Sequence, residues 1–366
     1  MQTQIVLSSP PTDGISCLTF GDNDSLLLSS SWDGKARIYD VRSNLLRGTY
    51  KCSSALLDCA FVTEDTIITG GIDGEIRSIS TTTENSSVIG KHQLGVKCLN
   101  FSKDLNIAIS GSWDKTIACW DCRVGGKGVM AMPAVQDKVY CMDVKSSKVV
   151  VGLGNGKVNV FDLRMLAAPE QIRESPLKLQ MRTIRILTDM RGFAIGGIEG
   201  RVGIEYFGSE EETGKKEYVF KCHRQTREGI DYIYPVNAIA FHPFYGTFAT
   251  GGCDGIVNMW DYEHRKRLAQ LPKCPTSISS VAFNRDGSLM AIASSYTWEQ
   301  GDIIHPPDAI IVRIPGENEV KPRGWSGPIA PLPANSTLTS HSSQQSNSSQ
   351  AASKECADAL QPDSLF

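Results

Sequence analysis

The sequence predicts an all-β chain: a seven-bladed β-propeller closed by its N-terminal strand and followed by a disordered tail. First, the phrase Ser31-Trp32-Asp33-Gly34-Lys35-Ala36-Arg37-Ile38-Tyr39-Asp40 recurs in variants ending at Ser80, Asp121, Asp162, Tyr206 and Asp261. Second, its turn residues Asp33, Asp73, Asp114, Asn155, Glu199 and Asp254 follow one another at intervals of 40, 41, 41, 44 and 55 residues. That period belongs to a four-stranded blade, which cannot bury both faces of its sheet alone and therefore stacks in a ring. Third, the last copy lacks a fourth strand, whereas Gln4 to Leu7 forms a strand with no partner of its own. Pairing the two removes the open sheet edges at the seam.

Blade one shows the unit. Ile15 to Phe20, Leu26 to Ser30, Lys35 to Tyr39 and Leu45 to Tyr50 alternate or run apolar between Gly, Asp and Asn turn residues, giving strands a to d. Later copies begin near Leu57, Val96, Val139, Thr183, Val236 and Ile278, which sets the count at seven and the domain at residues 1–323. From about Pro315 the composition changes. Pro322, Pro328, Pro331 and Pro333 lead into a Ser, Gln and Asn-rich stretch from Asn335 to Ser353, too polar to offset its ordering entropy, so residues 324–366 are expected to be a disordered tail with Trp325 tethered to the body.

Composition limits the function. The net charge is −3, from 37 basic and 40 acidic residues, which speaks against a generic polyanion binder, so nucleic acid is not an expected partner. Eleven cysteines, an odd number, sit mostly at strand positions such as Cys17, Cys59, Cys98 and Cys141 and suit a reducing compartment. Cys119 and Cys122 form a C-x-x-C without a second pair or a His cluster, so no metal is expected. Met1 to Leu7 lacks the features of a secretory signal, and no apolar run approaches the ~20 residues of a membrane span; an intracellular protein without membrane contact is expected.

No G-x-S-x-G elbow, HExxH pair or P-loop occurs, and Gly152-Leu153-Gly154 precedes no helix, so no enzyme and no cofactor are expected. Blade three does contain His92, Ser110, Asp114 and Trp120. Their spacing fits a structural tetrad joining a loop, strand b and the tight turn, since buried polar groups need partners, better than it fits a hydrolase triad.

Antiparallel strands return the b-to-c turns and the d-to-a loops to one rim of the ring. There Trp32 and Trp113 stand where a small or polar residue would satisfy the turn, and both are candidate anchors for a partner, with packing against a neighbouring blade as the alternative. Blade five departs most from the repeat. Arg182 precedes its strand a, Glu199-Gly200-Arg201 forms its b-to-c turn, and Lys221-Cys222-His223-Arg224 ends its strand d. These elements predict a local basic pocket whose guanidinium forks suit carboxylate or phosphate, the alternative being ion pairs with Glu205 and Glu217.

With these residues in place, the chain resembles the WD-repeat spindle-checkpoint adaptor family, Bub-three, whose nearest relative is the messenger-RNA export factor family Rae-one. The resemblance runs over about residues 5 to 323 and rests on Asp13-Gly14-Ile15-Ser16, Ser30-Ser31-Trp32-Asp33 and Gly111-Ser112-Trp113-Asp114. More specific are Ile198-Glu199-Gly200-Arg201-Val202, Phe220-Lys221-Cys222-His223-Arg224 and Ile233-Tyr234-Pro235-Val236-Asn237. Phe248-Ala249-Thr250-Gly251-Gly252 adds to them, while Pro275-Thr276-Ser277-Ile278, Ala291 to Tyr296, His305-Pro306 and Ala309-Ile310 favour the checkpoint branch. Gly71-Ile72-Asp73, Gly154-Asn155-Gly156 and the Ser-rich tail depart from the family pattern.

The resemblance implies a non-enzymatic, monomeric propeller in heteromeric complexes. It would bind short motifs of checkpoint kinases or pseudokinases and phosphorylated Met-Glu-Leu-Thr-type motifs of a kinetochore scaffold, and join the mitotic checkpoint complex. By the same resemblance Arg182 meets glutamates of the kinase motif, Arg201 and Arg224 grip a phosphothreonine, and Trp32 supplies an apolar wall. Trp113, Lys221 and His223 complete the expected peptide-binding set. The implied location is the nucleus, with kinetochores and chromosomes in mitosis, and the cytoplasm; the alternative role is a nuclear-pore export adaptor.

Overall fold

Each copy of the repeat folds as one antiparallel sheet, and the computed structural model describes residues 3–122, 129–131, 134–165 and 167–327. After β1 (Gln4–Val6), blade one is β2 (Ile15–Phe20), β3 (Leu26–Ser31), β4 (Lys35–Asp40) and β5 (Leu45–Lys51). Blade two is β6 (Leu56–Thr63), β7 (Thr66–Gly71), β8 (Glu75–Ser80) and β9 (Ser86–Lys91). Blade three is β10 (Val96–Ser102), β11 (Ile107–Ser112), β12 (Ile117–Asp121) and β13 (Val129–Ala131). Blade four is β14 (Val139–Lys145), β15 (Lys148–Leu153), β16 (Lys157–Asp162) and β17 (Gln171–Glu174). Blade five is β18 (Met181–Ile186), β19 (Gly192–Gly197) and β20 (Arg201–Tyr206), then the helical turn α1 (Glu210–Thr213), then β21 (Tyr218–Lys221). A separate ribbon, β22 (Arg224–Arg227) and β23 (Ile230–Ile233), precedes blade six: β24 (Val236–Phe241), β25 (Phe248–Gly252), β26 (Val257–Asp261) and β27 (Lys266–Gln270). Blade seven is β28 (Ile278–Phe283), β29 (Met290–Ser294) and β30 (Ala309–Arg313), and the turn α2 (Glu317–Val320) follows.

The seam closes as expected. β1 is the fourth strand of blade seven, with Gln4 opposite Arg313 and Val6 opposite Ile311, and the Leu7 amide donates to the Ile310 carbonyl at 2.9 Å. Period-2 alternation decides which side chains enter the seam: Ile5 and Leu7 are buried, whereas Val6 between them is 55% exposed. Ile5 and Leu7 pack with Leu27 and Tyr39 of blade one and Ala291 and Val312 of blade seven. Comparable apolar clusters fill the other blade junctions. The second strands are buried along all or all but the first residue of their length, as β11, β19 and β3 show, because neighbouring blades cover both of their faces, while the outer strand β5 alternates between exposed and half-buried positions.

Trp325 is tethered as expected, its ring edge-on to Tyr245 at 5.6 Å. Of the expected disordered tail, residues 324–366, the first four are described and residues 328–366 lie outside the described residues.

A candidate peptide-binding rim

The pairing of strand a with strand b skips one residue at the same place in every blade: Ser16, Leu57, Lys97, Tyr140, Arg182, Asn237 and Ser279. A bulge re-aims its extra residue and leaves it out of the ladder. All seven residues accordingly line one cavity of about 650 Å³ at the mouth of the central channel. This bulge, within β18 rather than ahead of it, is what places Arg182. Three successive blades contribute Lys97, Tyr140 and Arg182, so one side of the mouth is cationic and aromatic.

Trp32 and Trp113 reach the same cavity from the b-to-c turns, joined by Asp13, Tyr296 and Trp298. Trp32 is 46% exposed, which rejects burial between blades, whereas Trp113 is half-buried and packs over Gly95, where a Cβ would come within 3.0 Å of the indole. The indole N–H of Trp113, Oδ1 of Asn237 and Oγ of Ser279 are buried and have no hydrogen-bond partner among the described residues, although all three residues line the cavity. Arg182 is exposed and forms no ion pair among the described residues.

The other basic residues gather at blade five, apart from that mouth. Arg201 opens β20 and pairs across the ladder with Lys221, the exposed last residue of β21. Arg224 does not end that strand; it opens the β22–β23 ribbon. Its guanidinium turns back over the b-to-c turn, with Nη2 donating to the Glu199 carbonyl at 2.7 Å and Nε to the Gly200 carbonyl at 3.4 Å. Gly200 sits at φ +58, and a Cβ there would meet the Cys222 carbonyl at 2.9 Å and an Ile233 methyl at 3.0 Å, so the turn can tuck beneath the ribbon only as glycine. Arg201 Nε has no hydrogen-bond partner among the described residues and lies 3.7 Å from the Glu199 carboxylate.

Glu205 and Glu217 do not neutralise this cluster, because both engage Arg173, at 3.5 and 3.0 Å. Burial, with the neighbouring Glu217 charge, pushes the Glu205 carboxyl up to about 7 against the pull of Arg173. Beside Lys221, a groove of about 360 Å³ between blades five and six is floored by Tyr218, Phe220 and Trp260 and edged by Arg265 and Lys266.

His223 does not belong to this surface. Its side chain is fully buried, with Nδ1 2.9 Å from Asp254 Oδ1 and Nε2 2.8 Å from Thr250 Oγ1, while the Trp260 indole N–H donates to the same hydroxyl at 2.9 Å. This repeats the blade-three tetrad, where His92 Nε2 lies 2.7 Å from Ser110 Oγ and Trp120 Nε1 donates to that oxygen at 2.8 Å. Burial lowers the pKa of His92 despite Asp114 beside it, which keeps the imidazole neutral near pH 7.

Sequence reasoning missed Lys97, Tyr140, Asn237 and Trp298. The first three were readable as the second residue of each strand a; Trp298 lies in the long segment between β29 and β30, where the repeat offers no template.

A closed ring of four-stranded blades built on this repeat, with aromatic rings and cations gathered on one rim, is a WD-repeat propeller. The WD domain, G-beta repeat model matches residues 2–40, 84–121 and 214–261. The chain is 46% identical to "Mitotic checkpoint protein BUB3.1" of Arabidopsis thaliana, over 87% of this chain and 94% of that protein. It is 40% identical to "Mitotic checkpoint protein bub3" of Dictyostelium discoideum, over 86% and 96%. Against "mRNA export factor GLE2" of Chaetomium thermophilum the identity is 33%, over 88% and 93%. The chain belongs to the Bub3 family of WD-repeat mitotic checkpoint proteins, to which the messenger-RNA export factors are related.

Proposed function

We propose that the protein is a non-enzymatic scaffold of the spindle-assembly checkpoint. In this reading it binds a short motif of a checkpoint kinase or pseudokinase at the channel mouth and a phosphorylated Met-Glu-Leu-Thr-type motif at blade five, recruiting checkpoint proteins to kinetochores. The separation of two cationic groups on one rim, Lys97 with Arg182 and Arg201 with Lys221 and Arg224, carries this reading. At the mouth, Arg182 and Lys97 receive glutamates of an extended peptide, Trp32 and Trp298 cover its apolar residues, and the Trp113 indole N–H donates to one of its oxygens.

At blade five the two carbonyl bonds hold the Arg224 guanidinium in place and leave its Nη1 donors for phosphate, so little side-chain entropy is lost on binding. A phosphothreonine carries about −1.5 to −2 charges and suits a pair of arginines. The neighbouring aromatic groove accommodates the Met and Leu side chains of the motif. His223 acts only by holding the chain between Lys221 and Arg224.

Fluorescence anisotropy with a Met-Glu-Leu-phosphoThr peptide and its unphosphorylated twin tests this. The phosphorylated peptide should bind at least tenfold tighter, in line with two charge-assisted contacts, and the advantage should vanish in the Arg201→Ala/Arg224→Ala variant. Equal binding of the two peptides, or by variant and parent, would sink the reading. The relative named as an export factor supports a second reading, a pore-associated adaptor. Immunoprecipitation from mitotic and interphase cells separates kinase from pore partners.

A further inference from the structure

The β22–β23 ribbon belongs to no blade. Glu228 and Gly229, both at positive φ, make the tight turn favoured in two-residue hairpins. Every residue of β23 is exposed, including Ile230 at 60%, Tyr232 at 44% and Ile233 at 45%. An isolated two-stranded hairpin is marginal in water. Among the described residues its bonds to the blades lie at its base, with the Arg224 guanidinium over the blade-five turn and the Tyr234 amide donating to the His223 carbonyl at 3.0 Å. Along its length Arg227 lies over the Tyr232 ring at 5.7 Å and Thr226 Oγ1 donates to Asp231 at 2.6 Å, which fixes the side chains without covering the apolar ones.

Neither outer edge of the ribbon pairs with a strand among the described residues. Open edges with large apolar neighbours invite pairing, and here the base of the ribbon is cationic through Arg201, Lys221 and Arg224. We infer that the ribbon is a docking arm: an extended segment whose phosphorylated end is held at the blade-five arginines continues along the ribbon as a third antiparallel or parallel strand. Its backbone bonds to the open edge, and its alternate side chains meet Ile230 and Tyr232, which share a face at i and i+2. The occupant is thus an anionic peptide with an alternating apolar extension. This rests on the phosphopeptide reading above and adds a mode of recognition that phosphate contacts alone do not require.

The test uses the full chain and fluorescein-labelled peptides carrying Met-Glu-Leu-phosphoThr alone, or extended by Val-Ser-Val-Ser-Val-Ser on its amino or its carboxyl side. One of the two extensions should tighten binding about tenfold, as two or three net backbone hydrogen bonds would. Methylating the valine amides or the serine amides of that extension should abolish the gain for one set and spare it for the other, because only alternate residues bond to a neighbouring strand. An Ile230→Ser/Tyr232→Ser variant, which removes the side-chain contacts but keeps the backbone edge, should reduce the gain while binding the short phosphopeptide as the parent does. A second variant with residues 226–231 replaced by Gly-Ser-Gly should lose the gain and bind the short phosphopeptide likewise, and both should keep the parent Tm because the ribbon lies outside every blade. No gain from either extension, tolerance of both methylated sets, or a gain undiminished in the first variant or surviving in the second overturns the docking arm. Loss of the phosphate advantage with the short peptide would instead overturn the phosphopeptide reading.

Discussion

Closing the ring by β1 makes a quantitative prediction for Ile5 and Leu7. They are 3% and 2% exposed and pack against both blades at the seam. Truncating a buried Ile or Leu to Ala costs about 2–4 kcal/mol, so the Ile5→Ala/Leu7→Ala variant should lose about 5 kcal/mol. Melting entropy scales with chain length, so for a propeller of roughly 320 residues each kcal/mol moves Tm by about 1.5 °C, and the double variant should melt about 7 °C lower by calorimetry. Val6, on the opposite face, is 55% exposed, and Val6→Ala should change stability by less than about 0.5 kcal/mol. Deleting residues 1–8 should go further and expose the β30 edge to pairing between molecules, visible as oligomers in gel filtration. A double-variant shift under about 2 °C, or a cost at Val6 equal to that at Leu7, would refute the seam.

Two other outcomes follow from buried polar groups. His223→Ala should lower stability by about 3 kcal/mol, because it strands Asp254 and Thr250, yet leave the phosphopeptide affinity of folded protein unchanged; intact Tm with lost binding would return His223 to the rim. The Glu205 carboxyl titrates at about 7 in the fold against an ordinary 4.5, so the folded state holds the proton more tightly and stability falls as pH rises from about 4.5 through 7. Glu205→Gln removes that loss. In urea unfolding it should match the parent near pH 4 and exceed it at pH 8 by up to about 3 kcal/mol, less what the Arg173 ion pair contributes. A gain of the same size at both pH values would contradict the assignment.

The ring was legible because the repeat obeys local rules at every copy. Strands β4, β8, β12, β16, β20 and β26 end at Asp40, Ser80, Asp121, Asp162, Tyr206 and Asp261, where the recurring phrase ends. The tetrad of blade three was readable for the same reason, since its members hold fixed places in one copy. The second tetrad was not, because its histidine, which like His92 follows the last strand of the preceding blade, stands within Lys221-Cys222-His223-Arg224, and that run read as one basic surface. A left-handed residue separates them: His223 at φ 46 turns its ring inward while Lys221 and Arg224 stay accessible. The ribbon was invisible for a related reason. Arg224 to Ile233 has too few residues to look like anything but a loop in the longest interval of the repeat, and its pairing depends on Glu228 and Gly229 taking positive φ together.

A propeller can acquire a specific surface with few substitutions because each blade leaves two rim positions outside its own packing. One is the residue before the turn acid, which is Trp32, Ile72, Trp113, Gly154, Ile198 and Cys253 in blades one to six. The other is the bulged residue of strand a, whose side chain the skipped ladder position sends to the channel mouth. Neither position belongs to the apolar clusters that fill the blade junctions, although Ser16 and Asn237 each donate a hydrogen bond to the next blade, so each accommodates Trp, Lys or Arg where strand interiors hold Ile, Val and Ala. The cations that result are distributed unevenly. Lys97 and Arg182 occupy bulges separated by one blade, and Arg201, Lys221 and Arg224 cluster where an inserted ribbon lengthens the repeat, so an acidic ligand finds a preferred side of an otherwise acidic chain. Exchanging Lys97 and Ser16, to give Lys97→Ser/Ser16→Lys, keeps the net charge but moves a cation to blade one. If the polarity of the mouth selects the ligand, peptides with paired glutamates should bind this exchange variant at least tenfold more weakly in anisotropy at 0.15 M salt, while the blade-five phosphopeptide binds both proteins alike.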